Sequence, residues 1–215
     1  MDRPRGQQED RFSERLRLRP WVVSDAAFHR RLWAERDPRV PARRRLTADG
    51  HPTLAEMEDW LRAYRQEPAP GLLVVERADD RTAIGYCGLV ANSVGRPEEP
   101  ELAYEFLRAS WGRGYATEAS RVVISLAAAV GYEHLSSTVR AWNTASFAVL
   151  RKLGFVDTGE RERDAVHGDS VLLRLRLWPD ADQSAGPQMI RSDSPAAISS
   201  SSGSSNRSNP SGMSA

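Results

Sequence analysis

The chain has 215 residues, enough for one domain with a sizeable core, and its 30 Lys+Arg against 29 Asp+Glu leave a formal net charge of +1. That balance excludes a molecule drawn to nucleic acid or anionic membrane by its overall field, and a lone cysteine, Cys87, excludes an internal disulfide. The four histidines, His29, His51, His134 and His167, lack metal-ligand spacing, so no metal site is expected.

Residues 1–13 are charged and contain no apolar stretch of the kind that opens a secreted chain. A flexible start and a cytoplasmic protein are therefore expected. Order begins with Leu16 and Leu18, which alternate with arginines at the period of a half-buried strand. Ser24-Asp25 offers a cap for a helix through AAFHRRLWAER, with Ala27, Leu32 and Trp33 sharing a face; Pro38 and Pro41 close it. The triplet Arg43-Arg44-Arg45 follows in a loop. No aromatic platform or recognition helix accompanies it, so a nucleic-acid partner is not expected.

Thr53 to Glu56 is a capping box that opens a second helix, with Leu54, Met57, Leu61 and Tyr64 near one stripe. Two strand-like runs, 72–76 and 83–91, flank the turn-rich segment 78–81 and predict a hairpin. Cys87 lies in the second run and reads as a small buried hydrophobe. A loop over Gly95–Pro100 leads to a fourth strand, ELAYEFL, residues 101–107. A helix over 115–131 follows, apolar nearly all round and so expected to pack on a sheet. Its apolar run, 122–130, is interrupted by Ser125 and too short to span a bilayer, so no membrane segment is expected. The segment 134–140 is a strand, 145–153 a short helix ended by Gly154, and 169–178 a last alternating strand. Residues 181–215 hold 12 serines and no net charge, a composition that cannot offset its ordering entropy. The expected segments are thus 1–13 flexible, 14–180 one folded domain and 181–215 a disordered tail.

Chemistry concentrates in WGRGYATEA, residues 111–119. A strand, a Gly-x-Gly turn and a helix gather unpaired backbone N–H groups at the positive end of a helix dipole, which suits a pyrophosphate. A P-loop needs Gly-Lys-Ser/Thr, which is missing. The dinucleotide fingerprint needs a third glycine where Thr117 stands and an acid ending the next strand, and it has neither.

Trp111-Gly112-Arg113-Gly114-Tyr115-Ala116 resembles the pyrophosphate loop of the GCN5-related N-acetyltransferase (GNAT) superfamily, Gln/Arg-x-x-Gly-x-Gly/Ala, with Trp111 in place of the first residue. The opening ERLRLRPW, the strand ELAYEFL, VRAWNTASFAVLRKLGF and HGDSVLLRLRL resemble, in order, segments of the branch related to the ribosomal-protein alanine N-acetyltransferases. The resemblance implies an α+β fold: a mixed, mostly antiparallel sheet of about seven strands, about four helices and a V-shaped splay between strands 4 and 5. It implies acetyl-CoA as co-substrate, held by residues 112 to 117 (Gly112, Arg113, Gly114, Tyr115, Ala116, Thr117), with the pantetheine arm along Phe106 and Leu107. Asn143 is a natural N-cap, and by resemblance also a contact for pantetheine or substrate. Ser146 resembles the residue that protonates the leaving thiolate; the tyrosine many members place four residues before the Leu-Gly-Phe glycine is replaced by Leu150. Glu101 and Asp164 are the candidate bases, with Glu105 on the same strand face as Glu101, and Tyr104 and His167 further candidates. The closest alignment puts Ala165, one residue from Asp164, at the family's carboxylate. The implied activity is acetyl transfer to a primary amine of a peptide N-terminus, amino acid or small molecule. Homodimers are common in this branch. The alternative is a catalytically impaired acyl-CoA-binding module that acts through partner contacts.

Overall fold

A computed structural model describes residues 10–92 and 95–177. Within them the chain runs β1 (Arg11–Phe12), β2 (Leu16–Arg19), α1 (Ala26–Ala34), α2 (Leu54–Ala63), β3 (Leu72–Arg77), β4 (Ala83–Val90), β5 (Glu101–Phe106), α3 (Tyr115–Val130), β6 (His134–Arg140), α4 (Thr144–Lys152), β7 (Val156–Glu162) and β8 (Ser170–Arg176). The strands form one sheet in the order β1-β2-β3-β4-β5-β6-β8-β7. Every neighbouring pair is antiparallel except β5–β6. This is the mixed, mostly antiparallel α+β architecture with four α-helices expected from the sequence.

The described residues hold eight strands where about seven were expected, and the addition is β1. Residues 10–13 are tied down: Arg11 lies opposite Leu18, Phe12 opposite Arg17, and the Arg17 guanidinium holds Asp10 at 2.6 and 2.8 Å. Two residues carry no readable period, so this strand had no signal in its own sequence. The family's fourth strand is therefore β5 here. Of the expected end segments, residues 1–9 and 181–215 lie outside the described residues.

Adjacent residues of β4 show how the sheet divides its faces. Cys87 is fully buried, with its Sγ 3.6 Å from Ser120 Oγ of α3, and burial pushes its thiol up to about 12. This is the inert buried cysteine the sequence suggested. Tyr86 points the other way, its ring 6.4 Å from His29 of α1. The main core lies on the Cys87 side, where Leu16, Leu18, Leu73, Val75, Leu89 and Leu102 meet Ala119, Val123 and Ala127 of α3 and Leu150 of α4. Ala26, Met57 and Leu61 of α1 and α2 form a second cluster.

Two face assignments differ from the sequence reading. On α1 the buried positions are Ala26, His29 and Leu32, with Ala27 exposed, because the helix is rotated one residue to bring His29 onto Tyr86. On α2, Leu54, the first helical residue, is 46% exposed, while the Thr53–Glu56 capping box forms as expected. No helix among the described residues is long and apolar enough to cross a membrane.

Candidate active site

The break in the sheet is the first element of the site. β5 and β6 pair at one position, Glu101 opposite Ser136. Beyond it the strands part, forming the splay expected between the family's strands 4 and 5. The Ser137 hydroxyl donates to Leu102 O at 3.1 Å, whereas Leu107 N–H donates to Ile84 O of β4 at 2.9 Å. Alternate residues of a strand direct their backbone groups to opposite neighbours. Phe106 therefore turns its N–H and C=O toward the opening. Leu107 does not, since its N–H is already used by Ile84 of β4.

Glu101 stands at the closed end of the splay and bridges it. Its carboxylate accepts the N–H of Thr138, on β6, at 3.0 Å. Burial pushes its pKa up, against opposing effects from that N–H and from Arg44. Glu105, on the same face, is fully engaged by Arg36 at 2.8 and 2.5 Å, and the Arg36 guanidinium lies 4.4 Å from the ring centre of Trp33. A carboxylate held in such a bidentate pair is a support and a poor proton acceptor.

At the open end lies the glycine loop. Gly112 and Gly114 take φ values of 72° and 81°, in the left-handed region that side chains strain. An added Cβ meets nothing within 4 Å at Gly112 and only Arg15 Nη2, at 3.5 Å, at Gly114. Backbone conformation, not internal crowding, is what asks for glycine. Gly114 caps α3 without a side-chain bond, and the first N–H to bond back is that of Glu118, to Gly114 O at 3.0 Å. The N–H groups of Tyr115, Ala116 and Thr117 precede that first helical bond.

Two ties hold the loop, and neither was foreseen. Trp111 Nε1–H donates to Phe106 O at 2.7 Å, joining the loop to the strand end while the ring stays 60% exposed. Arg15 donates to Glu118 at 2.8 and 2.5 Å and to Arg113 O at 3.1 Å, and its guanidinium lies 4.8 Å from the Tyr115 ring centre. Ser13 Oγ adds a bond to Glu118 at 2.7 Å. Strand β2 and the loop are about a hundred residues apart in sequence, so no local pattern announces this clamp.

On the far side of the splay, Asn143 caps α4 by accepting Ser146 N–H at 3.1 Å. The Tyr104 hydroxyl, from β5, donates to Ser146 O at 3.2 Å. Both backbone groups of Ser146 are thereby used, which fixes the origin of its hydroxyl. Burial raises the Tyr104 pKa and keeps that hydroxyl a donor.

Asp164 serves its own turn. It accepts the N–H groups of His167 at 2.9 Å and Val166 at 3.1 Å and pairs with Arg140 at 2.9 Å. These bonds, the His167 N–H first, hold its pKa down to about 2. The same loop is tied to the residues before α4: Trp142 Nε1–H donates to His167 O at 2.9 Å, and Arg39 lies 4.0 Å from the Trp142 ring centre. Glu101, Phe106, Tyr104, Asn143 and Ser146 thus gather around the splay, whereas Asp164 is committed to the loop between β7 and β8.

Comparison with known proteins agrees with this geometry. Residues 15–156 match the acetyltransferase (GNAT) domain family. The chain belongs to that family. It is 30% identical over 107 residues to the uncharacterised protein YkkB of Bacillus subtilis (strain 168), a match spanning 46% of this chain and 60% of YkkB. It is 26% identical over 159 residues to the uncharacterised N-acetyltransferase p20 of Bacillus licheniformis, 70% of this chain and 84% of that one. The fold is shared with yncA from Salmonella typhimurium, solved with its cofactor acetyl-CoA: TM-score 0.59, 19% identity, 77% of this chain and 96% of that one.

Proposed function

We propose that this chain is an acetyl-CoA-dependent N-acetyltransferase that moves acetyl to a primary amine by direct attack. The observation that carries the reading is the single-pair splay of β5 and β6 with the left-handed glycine loop tied to its open end. Bound acetyl-CoA supplies the activated acyl group. The N–H groups of residues 112–117 hold its diphosphate. Phe106 N–H, turned into the opening, is placed to donate to the thioester oxygen as charge gathers there.

Glu101 takes, through intervening water, the proton that the amine sheds as its nitrogen bonds to the acyl carbon. Its buried carboxylate, with a raised pKa, is better matched to that task than Asp164. Ser146 passes a proton to the departing sulfur, and Asn143 and Tyr104 set its position. Amine and thioester become amide and thiol; Glu101 then releases its proton to solvent and Ser146 regains one from solvent, so both residues return to their starting states. A protein N-terminus, the acceptor of the branch this sequence resembles, is the first acceptor to try. A homodimer would accompany that kinship.

The test is thiol release from acetyl-CoA against peptides with different N-terminal residues, amino acids, polyamines and aminoglycosides, beside calorimetry with CoA. Turnover with one amine class is expected. CoA binding with no turnover on any amine would favour the impaired binding module, and no CoA binding would overturn the family chemistry for this chain.

A further inference from the structure

The segment that follows α1 is tied to both banks of the splay. On the β5 bank, Glu35 accepts Arg108 N–H at 2.7 Å, and Arg36 holds Glu105 at 2.8 and 2.5 Å. On the β6 bank, the Arg39 guanidinium lies over the ring of Trp142, two residues past β6. The chain then turns back: the remaining Arg36 nitrogen donates to Arg44 O, which sets the turn Ala42–Arg44 beside the Glu105 carboxylate. Glu101 and Glu105 are four apart on one strand, so that turn and Glu101 share a face. The cations of this segment are not equivalent. Arg36 is spent on Glu105, and Arg39 on Asp37, to which it donates at 2.9 and 2.8 Å. The Arg44 side chain makes no ion pair or hydrogen bond among the described residues. Burial raises the pKa values of Glu101 and Tyr86, and in both the Arg44 charge pulls the other way, so the guanidinium lies near both without pairing to Glu101.

We infer that Arg44 selects the acceptor: the amine this site takes also carries a carboxylate, which Arg44 binds while the nitrogen faces Glu101. The inference rests on the acetyltransferase reading. A carboxylate and a cation that share a face without touching leave both charges to a ligand that bears both. Glu162, whose charge also reaches Glu101, adds to the attraction for the nitrogen end. Arg44 is what keeps the site from being acidic throughout, and it disfavours an acceptor that offers only positive charge. Its backbone is fixed through Arg36 before any acceptor arrives, which lowers the cost of ordering the turn on binding. A free amino acid meets this description, as does a peptide with an acidic residue beside its N-terminus.

The experiment is steady-state thiol release by the full chain with two acceptor pairs: glycine against glycinamide, and tripeptide amides with glutamate or glutamine in second place. It compares the natural protein with Arg44→Gln, Arg44→Lys and Arg43→Gln. The quantity read is the ratio of kcat/KM within a pair, carboxylate member over amide member; comparing that ratio between proteins cancels the difference in amine basicity. Arg44→Gln is expected to lower the ratio about five- to tenfold, the size of one charged hydrogen-bonded contact, while its KM for acetyl-CoA holds, which also reports that it is folded. Arg44→Lys should recover part of the loss, and Arg43→Gln, which removes a cation of the same turn, should leave the ratio as it is. A fall in the glycine pair assigns the carboxylate to a free amino acid, and a fall in the tripeptide pair to a peptide. An unchanged ratio in both pairs would overturn the inference, as would an equal fall in Arg43→Gln, or CoA binding with no turnover of any of the four acceptors. No turnover and no CoA binding in calorimetry would instead bring down the acetyltransferase reading beneath it.

Discussion

At the scale of residues, environment separates groups of identical chemistry. Glu101, Glu105 and Asp164 are all carboxylates that the sequence singles out. Glu105 is locked to Arg36, Asp164 is held to about pKa 2 by its own turn, and Glu101 is buried with its pKa raised. Glu101→Gln is therefore expected to lower kcat by about 10²–10⁴-fold. In the natural protein the rate should rise with pH through a carboxyl pKa above the ordinary 4.5, and the variant should lose that limb; a full-rate variant would remove Glu101 as the base. His29 gives a second residue-scale expectation. Burial, then Arg36, pushes it down to about 4, and its Nε2 accepts Trp33 Nε1–H at 3.1 Å, which only the neutral ring allows. Between about pH 6.5 and 4 the unfolded chain binds a proton that the folded chain refuses. The stability contribution is therefore intact above 6.5 and lost as pH falls through that window, at up to ~1.4 kcal/mol per unit. Urea unfolding from pH 7 to 4 should show that slope, and His29→Phe should flatten it.

At the scale of elements, the glycine loop couples backbone strain to ligand affinity. Gly114→Val puts a β-branched residue at φ 81°, expected to cost about 1–2 kcal/mol. It should also raise the KM for acetyl-CoA with little change in the KM for amine, as steady-state kinetics would read. Equal rises in both constants would mean the loop does not touch the cofactor. Trp111 belongs to the same element. Removing its N–H in Trp111→Phe frees Phe106 O and should weaken CoA binding, with Trp111→Gln, which restores a donor, recovering part of the loss in calorimetry. The elements themselves were largely legible. Alternation in LRLR, the capping box at Thr53, the turn at 78–81 and the glycines of 111–114 are patterns shorter than a helical turn or two, and each formed as read. What escaped was β1, too short for a period, and the rotation of α1, decided by which ring reaches Tyr86.

At the scale of the whole molecule, the splay leaves backbone edges of β5 and β6 without a partner strand, and a ligand that fills it should stabilise the fold. CoA at a hundred times its Kd is expected to add about 2.7 kcal/mol and raise the thermal midpoint; an unmoved midpoint would place CoA elsewhere or nowhere. The sequence by itself determined the order of the elements, the glycine loop and the kinship with acetyltransferases, because turn chemistry and periodicity act between near neighbours. It also narrowed the site to a short set of acids and one serine. Only the tertiary structure decided which of them matter. Glu101 meets Thr138 37 residues on, Arg36 meets Glu105 at 69 and Arg15 meets Glu118 at 103. Those pairings depend on strand order and register, which bring distant residues within hydrogen-bond reach, and burial then sets their charge.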